Sequence, residues 1–499
     1  MTYTAYNATT GEPLAPTYTD ASAAEISTVA NAAAEVADAF ATTSPEKRAV
    51  LLETIADEYM ARSPEMIARA NLETGLPVPR LEGERNRTMG QLRQFANLLR
   101  EGSWVDARID PALPDRKPLP RPDLRRMHRG IGPVAVFGAS NFPFAYSVAG
   151  GDTASALAAG NPVIVKAHPA HPGTSDISAE AIRAALTKVG LPAAIFGMVH
   201  GKSPEVSISL VQHPAIAAVG FTGSIRAGRA LFDAAASRPK PIPVFAEMSS
   251  VNPVVILPGA LKERAEAIAE GLVASSTLGM GQFCTKPGLT FGLASPAWDE
   301  FRAAIGKRFA AVGPGVMLHS GIRESYERGL AGLRDVEWLG RGPANAAHVS
   351  ASVFRARPEL SHELFGPFGL LITAKDLPEL LSLLEPLDGQ LTASIHGTAG
   401  EIAAAPELVT LLTRKAGRLI CNGFPTGVEV SPAMNHGGPY PATTDVRFTA
   451  VGTSAILRFA RPVCYQAFPE PLLPPALQNA NPLGLLRLID GRYTRDPVK

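Results

Sequence analysis

The fold is decided by three consecutive stretches: Val134-Ala-Val-Phe137, a small-residue segment from Ala154 to Ala159, and Val163-Ile-Val165. Short continuous apolar runs of this kind are typical of strands that are buried on both faces. The segment between them predicts a helix, so the order is strand, helix, strand. A helix predicted over 175–189 and an apolar run at 216–221 continue the alternation. The pattern predicts an α/β fold with a doubly wound, mostly parallel sheet.

Helices are predicted ahead of this sheet, over residues 20–100. Ser22 and Glu25 form a capping-box pattern, and Ser44-Pro45 gives a cap with proline at the first helical position. Residues 106–125 are rich in proline and charge, which predicts an extended arm.

A second strand and helix alternation follows the first. It runs from Pro253-Val-Val-Ile-Leu257 to Leu419-Ile-Cys421 and predicts a second α/β region. Two apolar runs in the tail, at 455–459 and 485–489, are predicted to be strands. A chain of 499 residues is expected to divide into two or three domains.

Charge and cysteine content argue against several classes of function. Lys and Arg number 47 against 46 for Asp and Glu, so no strong field attracts nucleic acid or an anionic membrane. The three cysteines, Cys284, Cys421 and Cys464, lack disulfide or metal-ligand spacing, so we expect free thiols, no metal and a cytoplasmic location. An apolar segment of about 18 residues and a signal-peptide pattern are both missing, so neither a membrane span nor export is expected.

Three side chains carry candidate chemistry, and the first is Cys284. It follows Gly281-Gln-Phe in a turn after a predicted helix, where a thiol is open to substrate and near amides that favour the thiolate. A lone cysteine is more often a small buried hydrophobe, and Cys421 and Cys464 are interpreted that way. Cys284 is a candidate nucleophile if partners lie near it.

The other two candidates are Glu247 and Asn141. Glu247 ends an apolar strand, and we expect partial burial to raise its pKa so that it acts as a general base on water. A structural acid held by backbone amides is the alternative. Asn141 follows the first strand of the parallel sheet and is either a turn residue or an amide that donates to an oxyanion.

Six motifs, in this order, resemble the successive signatures of the aldehyde dehydrogenase superfamily, and they span nearly the whole chain. They are Gly138-Ala-Ser-Asn-Phe-Pro-Phe144, Val165-Lys-Ala-His-Pro169, Phe221-Thr-Gly-Ser224, Glu247-Met-Ser-Ser, Gly281-Gln-Phe-Cys284 and Glu363-Leu-Phe-Gly-Pro367. Each motif is weak alone, and the shared order makes chance agreement improbable.

The resemblance implies a role for each candidate. Cys284 attacks the carbon of an aldehyde substrate, and Asn141 with the backbone N–H of Cys284 holds the oxyanion while hydride leaves. Glu247 activates the water that hydrolyses the thioester. Relatives that pass the acyl group to coenzyme A typically lack this carboxylate, so the implied product is a free carboxylic acid.

The resemblance also implies a site for NADP or NAD. Gly223 and Ser224 open a predicted helix whose amides and dipole face the pyrophosphate. Lys166 reaches the adenine ribose, Glu363 reaches the nicotinamide ribose, and Phe365 flanks the ring.

One departure from the family pattern bears on the choice of cofactor. Many NAD-preferring relatives have a glutamate three residues after the lysine, where this chain has Pro169. A 2′-phosphate is then not repelled, and Arg226 or Arg229 is expected to pair with it. The alternative is that both arginines form a solvated helix face.

The C-terminal motifs resemble those of the 2-oxoglutarate semialdehyde (2,5-dioxopentanoate) dehydrogenases. These motifs are Asn422 to Val430, His436 to Asp445 and Arg461 to Gln466. Similar motifs occur in a long-chain fatty aldehyde dehydrogenase, so a medium- or long-chain fatty aldehyde is the alternative substrate. A rival from another class is a thiol hydrolase without nicotinamide, in which His436 is the base for Cys284.

The family pattern finally implies domains and an assembly. The NAD(P)-binding domain is expected at 1–103 and 131–246, and the catalytic domain at 247–445. Residues 104–130 and 446–499 are expected to form a small β oligomerisation arm with the C-terminal tail. Pairing of this arm with another subunit would cover open sheet edges in a homodimer or homotetramer.

Overall fold

The computed structural model describes residues 1–498 and begins with a β-hairpin that the sequence patterns did not predict. The helices predicted over 20–100 are present, with the capping box of Ser22 and the Ser44 cap formed as expected. The first elements are β1 (Thr2–Tyr6), β2 (Pro13–Thr19), α1 (Ala23–Ala41), α2 (Pro45–Ala61), α3 (Ser63–Thr74), α4 (Val78–Glu101), β3 (Arg108–Asp110) and β4 (Leu124–Gly130).

The predicted alternation then forms a five-stranded parallel sheet. Its elements are β5 (Val134–Phe137), α5 (Gly151–Ala158), β6 (Val163–Lys166), α6 (Pro172–Val189), β7 (Phe196–Val199), α7 (Pro204–Gln212), β8 (Ala218–Thr222), α8 (Ile225–Ala236) and β9 (Val244–Glu247). The strand order is β7-β6-β5-β8-β9. Val134 and Val136 pack into one core, and Ala135 and Phe137 into another, so helices cover both faces and the doubly wound sheet is confirmed.

A second α/β unit follows, as predicted. Its elements are β10 (Val254–Ile256), α9 (Pro258–Thr277), β11 (Leu289–Leu293), α10 (Pro296–Ala310), α11 (Ser320–Gly332), β12 (Glu337–Gly340), β13 (Asn345–Ser350), α12 (Ala351–Ala356), β14 (Phe368–Ala374), α13 (Leu377–Leu384), β15 (Gln390–His396), α14 (Ala399–Ala403), α15 (Pro406–Lys415) and β16 (Ala416–Cys421). The order is β12-β13-β14-β11-β10-β15-β16, and β12 is the one antiparallel strand of this sheet.

The proline-rich arm and the tail meet in a third sheet. The tail contributes β17 (Ala460–Gln466), β18 (Arg487–Ile489) and β19 (Arg492–Thr494), and the order is β17-β4-β3-β18-β19. β17 pairs with β4 from Ala460 opposite Gly130 to Gln466 opposite Leu124. The extended arm is therefore confirmed.

The strand predicted at 455–459 is wrong, because these residues belong to a 3-10 helix, Thr453–Phe459. Ile456 and Phe459 are buried at a three-residue spacing, which a strand would send to opposite faces. Arg458 lies between them and forms a buried ion pair with Asp152, with 2.7 Å between Nη1 and Oδ1. The segment is apolar as expected, but its buried residues recur at the spacing of a 3-10 helix and not at that of a strand.

The register of the first sheet gathers polar groups at one edge. Phe137 lies opposite both Lys166 and Phe221, and Thr222 lies opposite Glu247. All four strands are parallel, so the segments that follow them leave the sheet from the same edge. Within residues 1–498, no helix is both long and apolar enough to cross a membrane.

Candidate active site

The loop that carries Cys284 makes a tight turn after α9. Gly279, Met280 and Gly281 have φ values of 56°, 55° and 65°. A Cβ on Gly281 would lie 2.2 Å from the carbonyl oxygen of Gly366, so a larger residue does not fit. This close approach brings the Cys284 loop against the segment 363–367.

A buried amide holds the same loop from the other side. Asn252 donates from Nδ2 to the carbonyl oxygens of Cys284 (2.9 Å) and Lys286 (3.0 Å). Phe283 and Thr285 are buried, whereas Cys284 between them is only partly buried. The backbone around the thiol is thus fixed, and Cys284 keeps a partial exposure that its two neighbours lack.

Cys284 lies next to Glu247 and His436. The Cys284 Sγ is 3.7 Å from His436 Nε2, and that nitrogen is 3.0 Å from Glu247 Oε1. One ligating atom from each residue falls within 4.8 Å of the other two. The second carboxylate oxygen of Glu247, Oε2, is buried and has no hydrogen-bond partner among the described residues. The trio therefore holds a thiol, an imidazole and a carboxylate within proton-transfer distance.

The C-terminal chain closes over the end of β9 and supplies His436. The backbone N–H of Met248 donates to the carbonyl of Ala442 (2.8 Å), and that of Thr444 donates to Ala246 (3.1 Å). The backbone N–H of His436 donates to Thr449 Oγ1 (2.8 Å). A hydrogen bond to an ionised group stabilises by about 1.5–3 kcal/mol net, so the contact between His436 and Glu247 helps to hold this closure.

The expected rise in the pKa of Glu247 is wrong in direction. Burial does raise the pKa, but attraction to His436 and the hydrogen bond with His436, together with smaller effects of neighbouring groups, outweigh burial, and the pKa lies below its ordinary value. The partner is a histidine 189 residues away, which no local pattern around Glu247 indicates. Glu247 is ionised at neutral pH.

The environment of Cys284 does not favour its thiolate. Burial and the charges of Glu247 and Glu363 raise the pKa of Cys284 well above its ordinary value, although Arg87 lowers it. The resting group is a thiol. Its reaction as a nucleophile requires a neighbouring base.

Asn141 lies in the loop after β5 and is 9% exposed. Its Nδ2 donates to the carbonyl of Gln282, two residues before Cys284, at 2.9 Å. A primary amide has two N–H groups, so one remains for another acceptor. The structure thus brings Asn141, Glu247 and Cys284 together.

The predicted phosphate and ribose residues lie at the same sheet edge. Lys166 ends β6 and is buried, and burial lowers its pKa to about 8. Ser224 caps α8 by accepting from the N–H of Ala227 (3.4 Å), and the first turn of this helix is exposed. Gly223 donates its N–H to the carbonyl of Glu247 (3.1 Å), which links the two candidate sites.

Comparison with known proteins agrees with this geometry. The model of the aldehyde dehydrogenase family matches residues 1–440. The chain belongs to the aldehyde dehydrogenase family. It is 51% identical to alpha-ketoglutaric semialdehyde dehydrogenase 2 of Azospirillum brasilense, over 98% of this chain and 96% of that protein. It is 48% identical to an alpha-ketoglutaric semialdehyde dehydrogenase of Acinetobacter baylyi, over 98% and 95%.

Solved structures show the same fold. The crystal structure of lactaldehyde dehydrogenase from Escherichia coli superposes with a TM-score of 0.80 at 20% sequence identity, over 93% of this chain and 95% of that chain. Members of this family oxidise aldehydes with NAD or NADP, so this chain is an NAD(P)-dependent aldehyde dehydrogenase. A thiol hydrolase without nicotinamide is not favoured, although His436 does lie beside Cys284.

Glu363 and Phe365 complete the predicted cofactor residues of the dehydrogenase. Glu363 accepts a hydrogen bond from Ser249 Oγ (2.8 Å). Burial and the charge of Glu247 raise the pKa of Glu363 to about 7, against the opposing effects of Ser249 and Lys286. Phe365 is partly exposed, two residues further along. Glu363 is therefore a group whose charge changes near neutral pH.

Four residues of the site go beyond the sequence predictions. The sequence predicts a catalytic role for His436 only in the alternative hydrolase, and it predicts none for Asn252, Ser249 or Lys286. Lys286 donates from Nζ to the carbonyls of Leu364 (3.0 Å) and Phe368 (3.1 Å), so it fixes the segment that carries Glu363. The position of Lys286, two residues after Cys284, is a signal in the sequence that could have indicated its role. No such signal indicates that Asn252 binds the carbonyls of Cys284 and Lys286.

The other two cysteines differ from their predicted environment. Cys421 and Cys464 are exposed free thiols rather than buried hydrophobes. They lie at the end of β16 and within β17, and both strands are sheet edges. Apolar neighbours in a strand signal a buried face only where another layer covers the strand.

We predict that Cys284 is alkylated more slowly than Cys421 and Cys464 at neutral pH, because its raised pKa keeps it protonated. Glu247→Gln removes the negative charge and the acceptor, so the Cys284 profile should move to lower pH. Iodoacetamide rates for each cysteine, measured by peptide mass spectrometry between about pH 6 and about pH 10, check this. Glu82→Gln, an exposed site on α4, is the control. An unchanged or higher profile in Glu247→Gln contradicts the electrostatic account.

Proposed function

We propose that this aldehyde dehydrogenase oxidises 2-oxoglutarate semialdehyde to 2-oxoglutarate. The observation that carries the substrate is the near-full-length similarity to the two alpha-ketoglutaric semialdehyde dehydrogenases, whose names denote the same aldehyde. The carboxylate of Glu247 beside Cys284 supports hydrolysis to a free acid. The alternative fatty aldehyde substrate has no comparable support.

The first chemical step in this proposal is attack of the Cys284 sulfur on the aldehyde carbon. Since the resting group is a thiol, its proton must leave as the bond forms. The Glu247 carboxylate is the available acceptor, since His436 Nε2 donates its N–H to Oε1 of that carboxylate. The free N–H of Asn141 and the backbone N–H of Cys284 are proposed to donate to the oxyanion that results.

The second step releases the acid. When bound, NAD(P) supplies the hydride acceptor that allows the tetrahedral adduct to become a thioester. Once Glu247 has released the thiol proton to solvent, its carboxylate is proposed to take a proton from water, whose oxygen attacks the thioester carbon. The C–S bond then breaks, and the departing sulfur takes the proton from Glu247, which restores the Cys284 thiol. The buried and unpartnered Oε2 of Glu247 suits this role, because it is open to a new donor.

The residues at the sheet edge fit a dinucleotide. An exposed helix N-terminus is a natural phosphate site, and α8 offers one with Gly223 and Ser224 before it. The buried Lys166 ammonium is proposed to donate to the adenine ribose. Glu363 is proposed to accept from the nicotinamide ribose, and Phe365 to flank the ring.

Arg226 is proposed to bind the 2′-phosphate of NADP. Arg229, the other candidate, forms an ion pair with Asp233 (2.8 Å), whereas no carboxylate of residues 1–498 pairs with Arg226. Both arginines lie on the exposed side of α8. The guanidinium of Arg226 is thus free for a phosphate, and the enzyme is proposed to accept NADP as well as NAD.

We propose that residues 104–130 and 446–499 form an oligomerisation arm beside the NAD(P)-binding unit (1–103 and 131–246) and the catalytic unit (247–445). No residue of the edge strands β16 and β17 is fully buried, and pairing between copies of the chain would satisfy the free backbone groups of both. The molar mass in solution, against 52.4 kDa for one chain, tests this assembly.

We also propose that the protein is located in the cytoplasm. The free cysteines favour a reducing compartment, and localisation of a tagged chain tests this proposal.

The substrate proposal predicts a preference that steady-state kinetics can measure. The kcat/KM for 2-oxoglutarate semialdehyde should exceed that for decanal by at least about 100-fold, since fold-changes of this size reflect about 2.7 kcal/mol of differential binding. Absorbance at 340 nm with NADP and with NAD reports both rates. Equal or higher efficiency with decanal would refute the assignment.

Two substitutions test the catalytic roles. Cys284→Ala should lower kcat by at least about 10³-fold while cofactor binding is retained, because the nucleophile is lost. Glu247→Gln should give a single burst of reduced cofactor followed by slow turnover. Loss of the charge lets the Cys284 thiol ionise more easily and attack without this base, whereas thioester hydrolysis stalls. Stopped-flow absorbance and cofactor titration measure these effects. Normal steady-state turnover in either variant contradicts the role of that residue.

The role of Arg226 predicts a cofactor-specific defect. Arg226→Ala should raise the KM for NADP by about 10-fold and leave the KM for NAD unchanged, since only NADP carries the phosphate. Arg229→Ala is the matched control one helical turn away and should change neither KM. A similar rise for both cofactors in Arg226→Ala would show that the arginine does not recognise the phosphate.

A further inference from the structure

An aromatic wall with two arginines stands beside the nucleophile. Phe142 packs edge-on against Phe283, which precedes Cys284, and also against Tyr146, with ring centroids 5.4 and 5.2 Å apart. The guanidinium carbons of Arg80 and Arg87, both on α4, lie 4.5 and 5.6 Å from the Phe142 centroid. Cations and aromatic rings thus share the space next to the thiol.

The two arginines differ in whether their charge is balanced. Arg80 lies 3.6 Å from the carboxylate of Glu84 and donates to the carbonyl of Asn141 at 3.3 Å. Arg87 has no ion-pair partner among residues 1–498. Its Nη2 donates to the hydroxyl of Tyr146 at 3.1 Å, and its Nε is buried without a hydrogen-bond partner. Arg87 is partly buried, and a partly buried cation without a partner costs free energy that binding of an anion would offset.

Arg87 also lies close enough to Cys284 for its charge to change the pKa of the thiol. Tyr146, which accepts its hydrogen bond, has its ring centroid 6.1 Å from that of His436, and His436 lies 3.7 Å from the sulfur. The positive charge of Arg87 opposes the other groups and lowers the pKa of Cys284. A chain of contacts through the side chains of Tyr146 and His436 therefore connects the Arg87 guanidinium to the thiol.

A third cation near the thiol is less available. Arg418 on β16 also interacts through its charge with Cys284, but both its terminal nitrogens donate to backbone carbonyls, to Pro425 at 2.6 Å and to Gly427 at 3.3 Å. These bonds hold the loop after β16. Arg87, with one terminal donor on a hydroxyl and the others free, is the better ligand for an anion.

We propose that Arg87, oriented by Tyr146, binds the carboxylate of the substrate while Cys284 attacks the aldehyde carbon at its other end. In a 2-oxo acid, a carboxylate oxygen and the 2-oxo oxygen form a planar pair of acceptors, which matches the fork of a guanidinium. The inference rests on the proposed function and extends it, since Arg87 selects aldehydes that carry an acid group over neutral aldehydes. An apolar tail in this place would leave the guanidinium unpaired.

The test compares two aldehydes of equal chain length, 2-oxoglutarate semialdehyde and pentanal. Arg87→Gln should lower kcat/KM for the semialdehyde by about 100-fold, mainly through KM, and change that for pentanal by less than about threefold. Arg87→Lys, which keeps the charge and loses the fork, should recover part of the loss. Tyr146→Phe should lower efficiency on the semialdehyde alone, by a smaller factor.

Arg93→Gln is the matched control on the same helix. Arg93 pairs with Asp57 at the surface (3.0 Å), so this variant should keep wild-type kinetics on both aldehydes. Retained activity of Arg87→Gln on pentanal shows that the variant is folded. An equal loss on both aldehydes overturns the inference, because Arg87 would then act on the thiol or on folding.

The wild-type enzyme separates this inference from the proposed function. If the wild type does not prefer the semialdehyde to pentanal, the proposed substrate and the role of Arg87 both fall. If the wild type prefers the semialdehyde and Arg87→Gln keeps the same preference, only the role of Arg87 falls.

Discussion

The site depends on one buried contact, the 3.0 Å hydrogen bond between His436 and Glu247. Both side chains are almost fully buried, so neither finds compensation in water. The contact attaches the C-terminal chain to the end of β9 and keeps the carboxylate ionised in a place where burial alone would protonate it. That carboxylate in turn keeps Cys284 protonated. One pair of residues thus sets the resting protonation of the whole trio.

Parallel strand order explains why distant parts of the chain meet at this contact. Asn141 follows β5, Gly223 follows β8 and Glu247 ends β9, and neighbouring parallel strands deliver all three to one edge. The catalytic unit brings the Cys284 loop to that edge through the close approach of Gly281 to Gly366. The geometry of the site therefore follows from sheet register and one glycine turn.

The sequence allowed the fold and the three catalytic candidates to be predicted because each leaves a local mark. Buried parallel strands are continuous apolar runs, and an acid at the end of such a run stands out. The ionisation of Glu247 left no local mark, since its partner is 189 residues away. The 3-10 helix at 453–459 was predicted to be a strand because Ala455-Ile-Leu-Arg-Phe459 is a short, mainly apolar run, which is also typical of a strand. Cys421 is exposed because β16 is an edge strand of its sheet. The order of strands in a sheet is a property of the tertiary structure and leaves no local pattern in the sequence.

The opposite pKa shifts of Glu247 and Cys284 are compatible with catalysis because the carboxylate and the thiol together hold a single negative charge. Independent ionisation of the thiol would place a second anion beside the first in a buried space, and the raised pKa of Cys284 expresses that cost. In the proposed mechanism, transfer of the thiol proton to the carboxylate during attack avoids this second charge, because the negative charge moves through sulfur to the new oxyanion. The resting thiol would then react only with a substrate whose oxygen meets the proposed oxyanion donors.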